Sequence, residues 1–220
     1  MCSTEDTYSL KQVDLFDTPS RVIIGGGSGV GKTTLLLSLL KTYYNRFDKI
    51  IICGGDEGVY KDLSEDITKR ITYSPTLLDP FDEILYEGYR VWFICDDLYM
   101  AAFNSEQIAN LYAKGRHKLI SGTIVTQNIF PKAKYFRDIS LNSNYVILLK
   151  IRDLTSVETF LRQCVGKSDA KKALSAYNQA MRLNPFSHFL IDLNPNTPRS
   201  LQFRSNLFKE TFPFEITYSI

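Results

Sequence analysis

Short, almost unbroken apolar runs recur along the chain, and the segments between them carry apolar residues at helical spacing. Val22-Ile23-Ile24, Lys49–Gly54, Val91–Cys95, Gly122–Thr126 and Tyr145–Leu149 read as strands, and the near-continuous apolar character of Lys49–Gly54 is that of a parallel strand covered on both faces. Leu35, Leu36, Leu39, Leu40 and Tyr43 share one helical face; so do Ile108, Leu111 and Tyr112, with Asn104 or Ser105 as the cap. Thr155 and Glu158 form a capping box before Val157, Phe160, Leu161 and Cys164, and a further helix from about Ser168 is predicted by Ala170, Ala173, Leu174, Tyr177 and Met181. Between residues 56 and 88 the pattern weakens to a short strand at Ile71-Thr72-Tyr73 and a short helical face of Phe81, Ile84 and Leu85. Phe189–Leu193 and Ser200–Arg204, joined through the turn-rich Asn194–Pro198, are expected to add a hairpin. Strands alternating with helices predict a doubly wound α/β core on a mostly parallel sheet.

Composition narrows the picture. The 220 residues suit one large domain, divided here into an N-terminal segment (1–17), the main domain (18–207) and a C-terminal tail (208–220). A formal net charge of +2 excludes a protein that coats nucleic acid through bulk basicity. Cys2, Cys53, Cys95 and Cys164 show no C-x-x-C pairing, and His117 and His188 are far apart, so neither a disulfide framework nor a zinc site is expected. The polar, acidic start and the shortness of every apolar run predict a soluble, intracellular protein with no membrane-spanning segment.

The strongest chemical signal lies between the first strand and the first helix. Gly26-Gly27-Ser28-Gly29-Val30-Gly31-Lys32-Thr33 is a complete G-x-x-x-x-G-K-[ST] phosphate-binding loop. Its glycines let the backbone N–H groups converge on phosphate oxygens, Lys32 reaches the β- and γ-phosphates, and Thr33 can ligate Mg²⁺. Thr34 follows at the start of a helix whose N-terminal dipole favours the same anions. ATP and Mg²⁺ are the cofactors this predicts.

Hydrolysis needs more than a phosphate loop. Asp96-Asp97 ends the third strong strand, which suits Asp96 to Mg²⁺ and Asp97 to orienting or deprotonating the attacking water; the plainer reading is a carboxylate pair capping the next helix. Gln127 ends the following strand, where an amide can sense the γ-phosphate or simply satisfy backbone groups. Arg116 lies between these segments and can serve as an arginine finger for a neighbouring subunit, ahead of its rival Arg137; the plainer reading of each is a solvated or salt-bridged surface residue. Phe130–Arg137 interleaves cations with aromatics, a composition able to meet DNA phosphates or to fold over a core.

At this point the chain resembles the DNA-packaging ATPases of double-stranded DNA viruses and Polinton-type elements, the viral branch of the FtsK/HerA superfamily. The resemblance rests on Gly26–Leu36, Asp96-Asp97-Leu98, Gly115-Arg116-His117 through Thr126-Gln127-Asn128-Ile129-Phe130, and Arg137-Asp138-Ile139-Ser140-Leu141-Asn142-Ser143. Lys150–Asp153 and Phe189–Leu193 also fit, and together these span most of the chain from Arg21 to Leu207. It implies a RecA/FtsK-HerA-like three-layer P-loop sandwich and a ring-forming, Mg-ATP-driven motor moving viral DNA into a preformed capsid. Gln127 is then the polar sensor. Double-stranded DNA, capsid or portal vertex proteins and copies of the same chain are the implied partners, and the infected cell or the virion the implied location. Asp97 departs from the Glu that cellular relatives usually place there. Two other functions fit the loop: a small-molecule nucleotide or nucleoside kinase, which needs an arginine-rich lid that the scattered Arg152, Arg162 and Arg182 do not suggest, and a nucleotide-dependent capsid assembly factor.

Overall fold

The computed structural model of the chain describes residues 14–16, 19–82, 88–208 and 215–218. A nine-stranded sheet runs through it in the order β3-β2-β4-β5-β1-β6-β7-β8-β9. The apolar runs form β1 (Arg21–Gly25), β2 (Lys49–Gly54), β4 (Val91–Asp96), β5 (Ile120–Thr126) and β6 (Tyr145–Leu148), with β3 (Ile71–Ser74) at one edge. These six strands are mutually parallel. β7 (Phe189–Asp192), β8 (Phe203–Ser205) and β9 (Ile216–Thr217) continue the sheet in antiparallel fashion.

The lack of polar alternation in the strands is explained by two cores. Ile50, Ile52, Trp92 and Ile94 pack with Leu36, Leu39 and Leu40 of α1 (Lys32–Tyr43) and with Tyr60 and Ile67 of the short α2 (Glu57–Lys61) and α3 (Glu65–Thr68). Their neighbours Ile51, Cys53, Phe93 and Cys95 face the other way. There they meet α4 (Tyr99–Asn104), α5 (Glu106–Lys114), α6 (Phe136–Leu141), α7 (Leu154–Val165) and α8 (Ala170–Ala180). Helices cover both faces, giving the expected α/β three-layer sandwich. Each large apolar side chain fully withdrawn from water contributes about 1.5–3 kcal/mol, so Trp92, Phe93 and Ile94, all at most 1% exposed, anchor β4 firmly between the layers.

Several local details differ from the pattern-based expectation. α4 intervenes between β4 and the expected helix, whose cap is Ser105: its Oγ accepts from the Ile108 N–H at 3.3 Å. α7 starts at Leu154 because Asp153 Oδ1 accepts from the N–H groups of Thr155 and Ser156, which displaces the Thr155–Glu158 capping box. Glu158 pairs with Arg162 instead. β8 begins at Phe203 rather than Ser200, since Pro198 leads into a 3₁₀ turn at Arg199–Leu201. Residues flanking the 18–207 span join the same body: Leu15 and Phe16 are buried, Phe16 lies 4.6 Å from the Trp92 ring, and β9 pairs with β8. Ile84 and Leu85 lie outside the described residues.

Candidate active site

β5 is inserted between β1 and β4, so the turns that follow all three strands emerge side by side at one edge of the sheet. Register fixes their heights. Gly25 is level with Thr126, and Cys95 with Ile124. That edge, beyond the carboxyl ends of the strands, is where ligands of open α/β sheets bind.

The phosphate loop is pinned to its flanking strands at its base, where the Gly26 N–H donates to Thr126 O and the Gly27 N–H to Lys150 O, both at 3.1 Å. Ser28 and Gly29 are exposed at its tip. Gly29 and Gly31 have φ of 71° and 94°, the left-handed region that glycine enters without a Cβ penalty. Lys32, Thr33 and Thr34 then open α1, whose first-turn N–H groups face the loop with no side-chain cap. Lys32 is largely buried and its Nζ donates to Gly27 O at 2.7 Å, folding the ammonium into the loop where an anion would sit. Burial lowers its pKa, and the charges of Asp97 and Asp96 oppose that shift. The loop lysine and both carboxylates therefore share one electrostatic environment.

Asp96 is 4% exposed, and burial raises its pKa, with Asp97 adding to the effect. Three influences work in the opposite direction: a hydrogen bond from Tyr60, the charge of Lys32 and a hydrogen bond from the Asp97 backbone N–H. Tyr60 Oη donates to Asp96 Oδ2 at 2.5 Å. The space for this carboxylate is made by Gly54 and Gly55, which have φ of 82° and 68°. A Cβ at Gly55 would lie 2.6 Å from Asp96 Oδ2, and one at Gly54 would lie 2.2 Å from Asp96 O. Asp97 itself is exposed and left-handed, with φ of 55°. No side chain caps α4, so the carboxylate pair does not serve as a helix cap. A buried carboxylate, an exposed one beside it and the hydroxyl of Thr33 fit Mg²⁺, which takes one or two carboxylates and fills its remaining positions with phosphate and water.

Gln127 stands exposed at the tip of β5, beside the loop. The turn that carries it is held by Thr126 Oγ1, which donates to Asn128 O at 2.7 Å and accepts from Asn128 N–H, while Asn128 Oδ1 accepts from Phe130 N–H. Arg116 is elsewhere. It lies in the 3₁₀ turn Gly115–Lys118 that precedes β5, at the opposite edge of the sheet, near enough to Arg21 for its charge to help lower the Arg21 pKa, after burial. β5 holds seven residues, so roughly 20 Å of strand separates Arg116 from the loop of its own subunit. Arg137 is exposed in the first turn of α6. In the 130–137 segment the charges and rings part company: Lys132, Lys134 and Arg137 are exposed, while Phe136 is buried against Phe103 and Phe130.

Residues 8–56, which contain the phosphate loop, α1 and β2, match the family model described as Poxvirus A32 protein. The genome packaging NTPase B204 from Sulfolobus turreted icosahedral virus 2, in complex with AMPPCP, superposes with a TM-score of 0.61 at 14% identity, covering 85% of this chain and 96% of that one. The fold is that of a P-loop NTPase. The same viral protein with ATP-gammaS gives 0.59 at 16% identity over 81% and 94% of the two chains. The cytoplasmic domain of the Type VII secretion ATPase EccC from Thermomonospora curvata matches at 0.51 and 13% identity, over 81% of this chain and 24% of that one. No curated protein sequence matches. The P-loop NTPase fold that the sequence resemblance implied is thus borne out, and the match of residues 8–56 to the Poxvirus A32 model agrees with it over that segment.

Sequence motifs did not disclose Tyr60, Gly54 and Gly55 as supports of Asp96. The Gly-Gly pair directly after a strand was the available signal, but its meaning depends on β2 lying beside β4.

Proposed function

We propose that the chain is a Mg-ATP-hydrolysing motor that moves double-stranded viral DNA into a preformed capsid. The observation that supports this best is the convergence of the Gly26–Thr34 loop, Asp96, Asp97 and Gln127 at one sheet edge, on the fold shared with a viral genome packaging NTPase. Bound Mg²⁺ neutralises charge that develops on the phosphates. Lys32 leaves Gly27 O for the phosphate oxygens, which replace its present hydrogen bond with a stronger, charge-assisted one. Thr33 and Asp96 would hold the ion, and Asp96 is kept in place by Tyr60. Asp97 orients the attacking water from an exposed position next to the buried carboxylate. Gln127 detects the γ-phosphate and passes its loss along the 128–137 segment, whose outward cations meet the DNA backbone.

Subunits of a ring supply what one subunit lacks. Arg116 cannot reach the phosphates of its own loop, so a finger role requires a neighbouring copy. The relevant surroundings are the infected cell and the capsid vertex; among the described residues no helix is long and apolar enough to cross a membrane.

The test is turnover with and without double-stranded DNA. DNA should raise the rate of ADP and phosphate release, Lys32→Ala should abolish it, and Asp97→Asn should bind ATP without cleaving it. Asn tolerates the left-handed backbone at this position, so the variant leaves the fold intact. A phosphorylated small-molecule acceptor, or full-rate turnover indifferent to DNA in the assembled ring, rejects the motor.

A further inference from the structure

The triphosphate site accounts for only one flank of the phosphate loop. On the other flank a cavity of about 600 Å³ opens, bounded by Gly31, Thr34, Leu35 and Ser38 of the loop and α1, and by Pro185 and Phe186 of the turn before β7. Topology explains why that turn is here. β7 runs antiparallel to β6 with Leu148 opposite Phe189, so it begins at the same edge where the parallel strands end. β6 lies on the far side of β1 from β5 and β4, which puts the cavity on the side of the loop away from Asp96 and Gln127.

The 184–188 turn is a built structure. Asn184 Oδ1 accepts from Phe186 N–H at 2.8 Å, Ser187 Oγ accepts from Asn184 N–H at 2.9 Å, and the Ser187 N–H donates to Asn184 O. Behind it, the buried His188 accepts from Leu207 N–H through Nε2. This scaffold holds the Phe186 ring against Gly31, where a Cβ would come within 2.9 Å of Phe186 Cδ1, yet leaves the side chain 62% exposed. An aromatic ring fixed at its base and open on one face, bordering a mostly apolar cavity, is suited to a flat ring.

We propose that this cavity is the nucleoside subsite, with Phe186 stacking on the purine base of the bound nucleotide. The inference rests on the phosphate loop holding the triphosphate. Gly31 and Thr34 border both regions, so a nucleotide with its phosphates in the loop passes its ribose over the first turn of α1 and its base into the cavity. Its γ-phosphate then points the opposite way, toward Asp96 and Gln127. Among the described residues neither a lysine, an arginine nor a carboxylate lines the cavity, so the base is held by stacking and shape rather than by charge.

Equilibrium binding of ATP, ADP and inorganic tripolyphosphate to the full chain tests this. Phe186→Ala should weaken ATP and ADP binding about tenfold, the scale of one base–aromatic stack, and leave tripolyphosphate binding at the wild-type level. Phe186→Tyr should restore ATP affinity. Because the ring is exposed, its truncation opens no core. Unchanged ATP affinity in Phe186→Ala, or equal weakening of tripolyphosphate, overturns the subsite. Failure of the phosphate-loop reading looks different: tripolyphosphate binding would then be absent in the wild type or indifferent to Lys32→Ala.

Discussion

Tyr60 Oη donates a 2.5 Å hydrogen bond to Oδ2 of Asp96, joining a short helix after β2 to the carboxylate at the end of β4. Asp96 is nearly buried, and an ionised carboxylate in that setting requires donors. Tyr60 is a positioning residue: its hydrogen bond commits one oxygen of the Asp96 carboxylate and so restricts how the group can turn. Removal of such a support typically costs 10–100-fold in metal affinity or activity. Tyr60→Phe should therefore raise the Mg²⁺ concentration for half-maximal turnover about 10-fold. Mg²⁺-free nucleotide binding, measured alongside, should match the wild type. An unaltered Mg²⁺ dependence would remove Tyr60 from this role.

Gly54 and Gly55 make the same carboxylate possible from below, and alanine at each should fail differently. Both positions carry the left-handed cost of about 1–2 kcal/mol for a residue with a Cβ. At Gly55 the added methyl meets the movable Asp96 side chain; at Gly54 it meets the Asp96 backbone oxygen. Gly55→Ala should lose most ATPase activity while unfolding cooperatively with a modest loss of stability. Gly54→Ala should lose more stability than Gly55→Ala in denaturant titrations. The reverse ranking would contradict the account.

How much of this was readable beforehand depends on how local each signal is. The Gly26–Thr33 loop, the β1, β2, β4, β5 and β6 strands and the α1 stripe are written in consecutive residues, so pattern alone located them. Asp96, Asp97 and Gln127 could be named because a polar residue ending an apolar strand carries its own position. Tyr60 could not: its role exists only because β2 pairs with β4, a contact between segments some forty residues apart. Phe186 was hidden for the same reason, since it reaches Gly31 through the antiparallel pairing of β7 with β6. The misplaced α7 cap was a local competition, in which Asp153 reaches two N–H groups that Thr155 was expected to organise.

Arg116 sits at the edge of the sheet opposite the loop, so any contribution it makes to turnover comes from the next subunit. Arg116→Ala and Lys32→Ala chains should each be inactive alone. When they are mixed, an interface pairing an intact loop with an intact Arg116 becomes available. ATPase activity should reappear at intermediate ratios. No recovery at any ratio assigns the finger elsewhere, with exposed Arg137 as the next residue to test in the same assay.

His188 ties the nucleoside side of the molecule to its C-terminal strands, and it makes stability depend on pH. Its Nε2 accepts from Leu207 N–H, so the ring must be neutral, and burial lowers its pKa from 6.5 to about 4. In the unfolded chain the imidazole takes a proton near its ordinary value; in the folded chain it does so only near pH 4. The stabilising effect is therefore complete above about pH 6.5, falls as pH drops through the window, and is gone below about pH 4. Over the whole window the loss is on the order of 3 kcal/mol. Asp96, with its raised pKa, titrates in the opposite direction, so a single pH curve mixes the two. Comparing wild type with His188→Gln separates them, because Gln can accept from Leu207 N–H but does not titrate. The stability difference between the two should shrink, or change sign in favour of Gln, as pH is lowered from 7 to 4. A constant difference across that range would show that His188 does not control it.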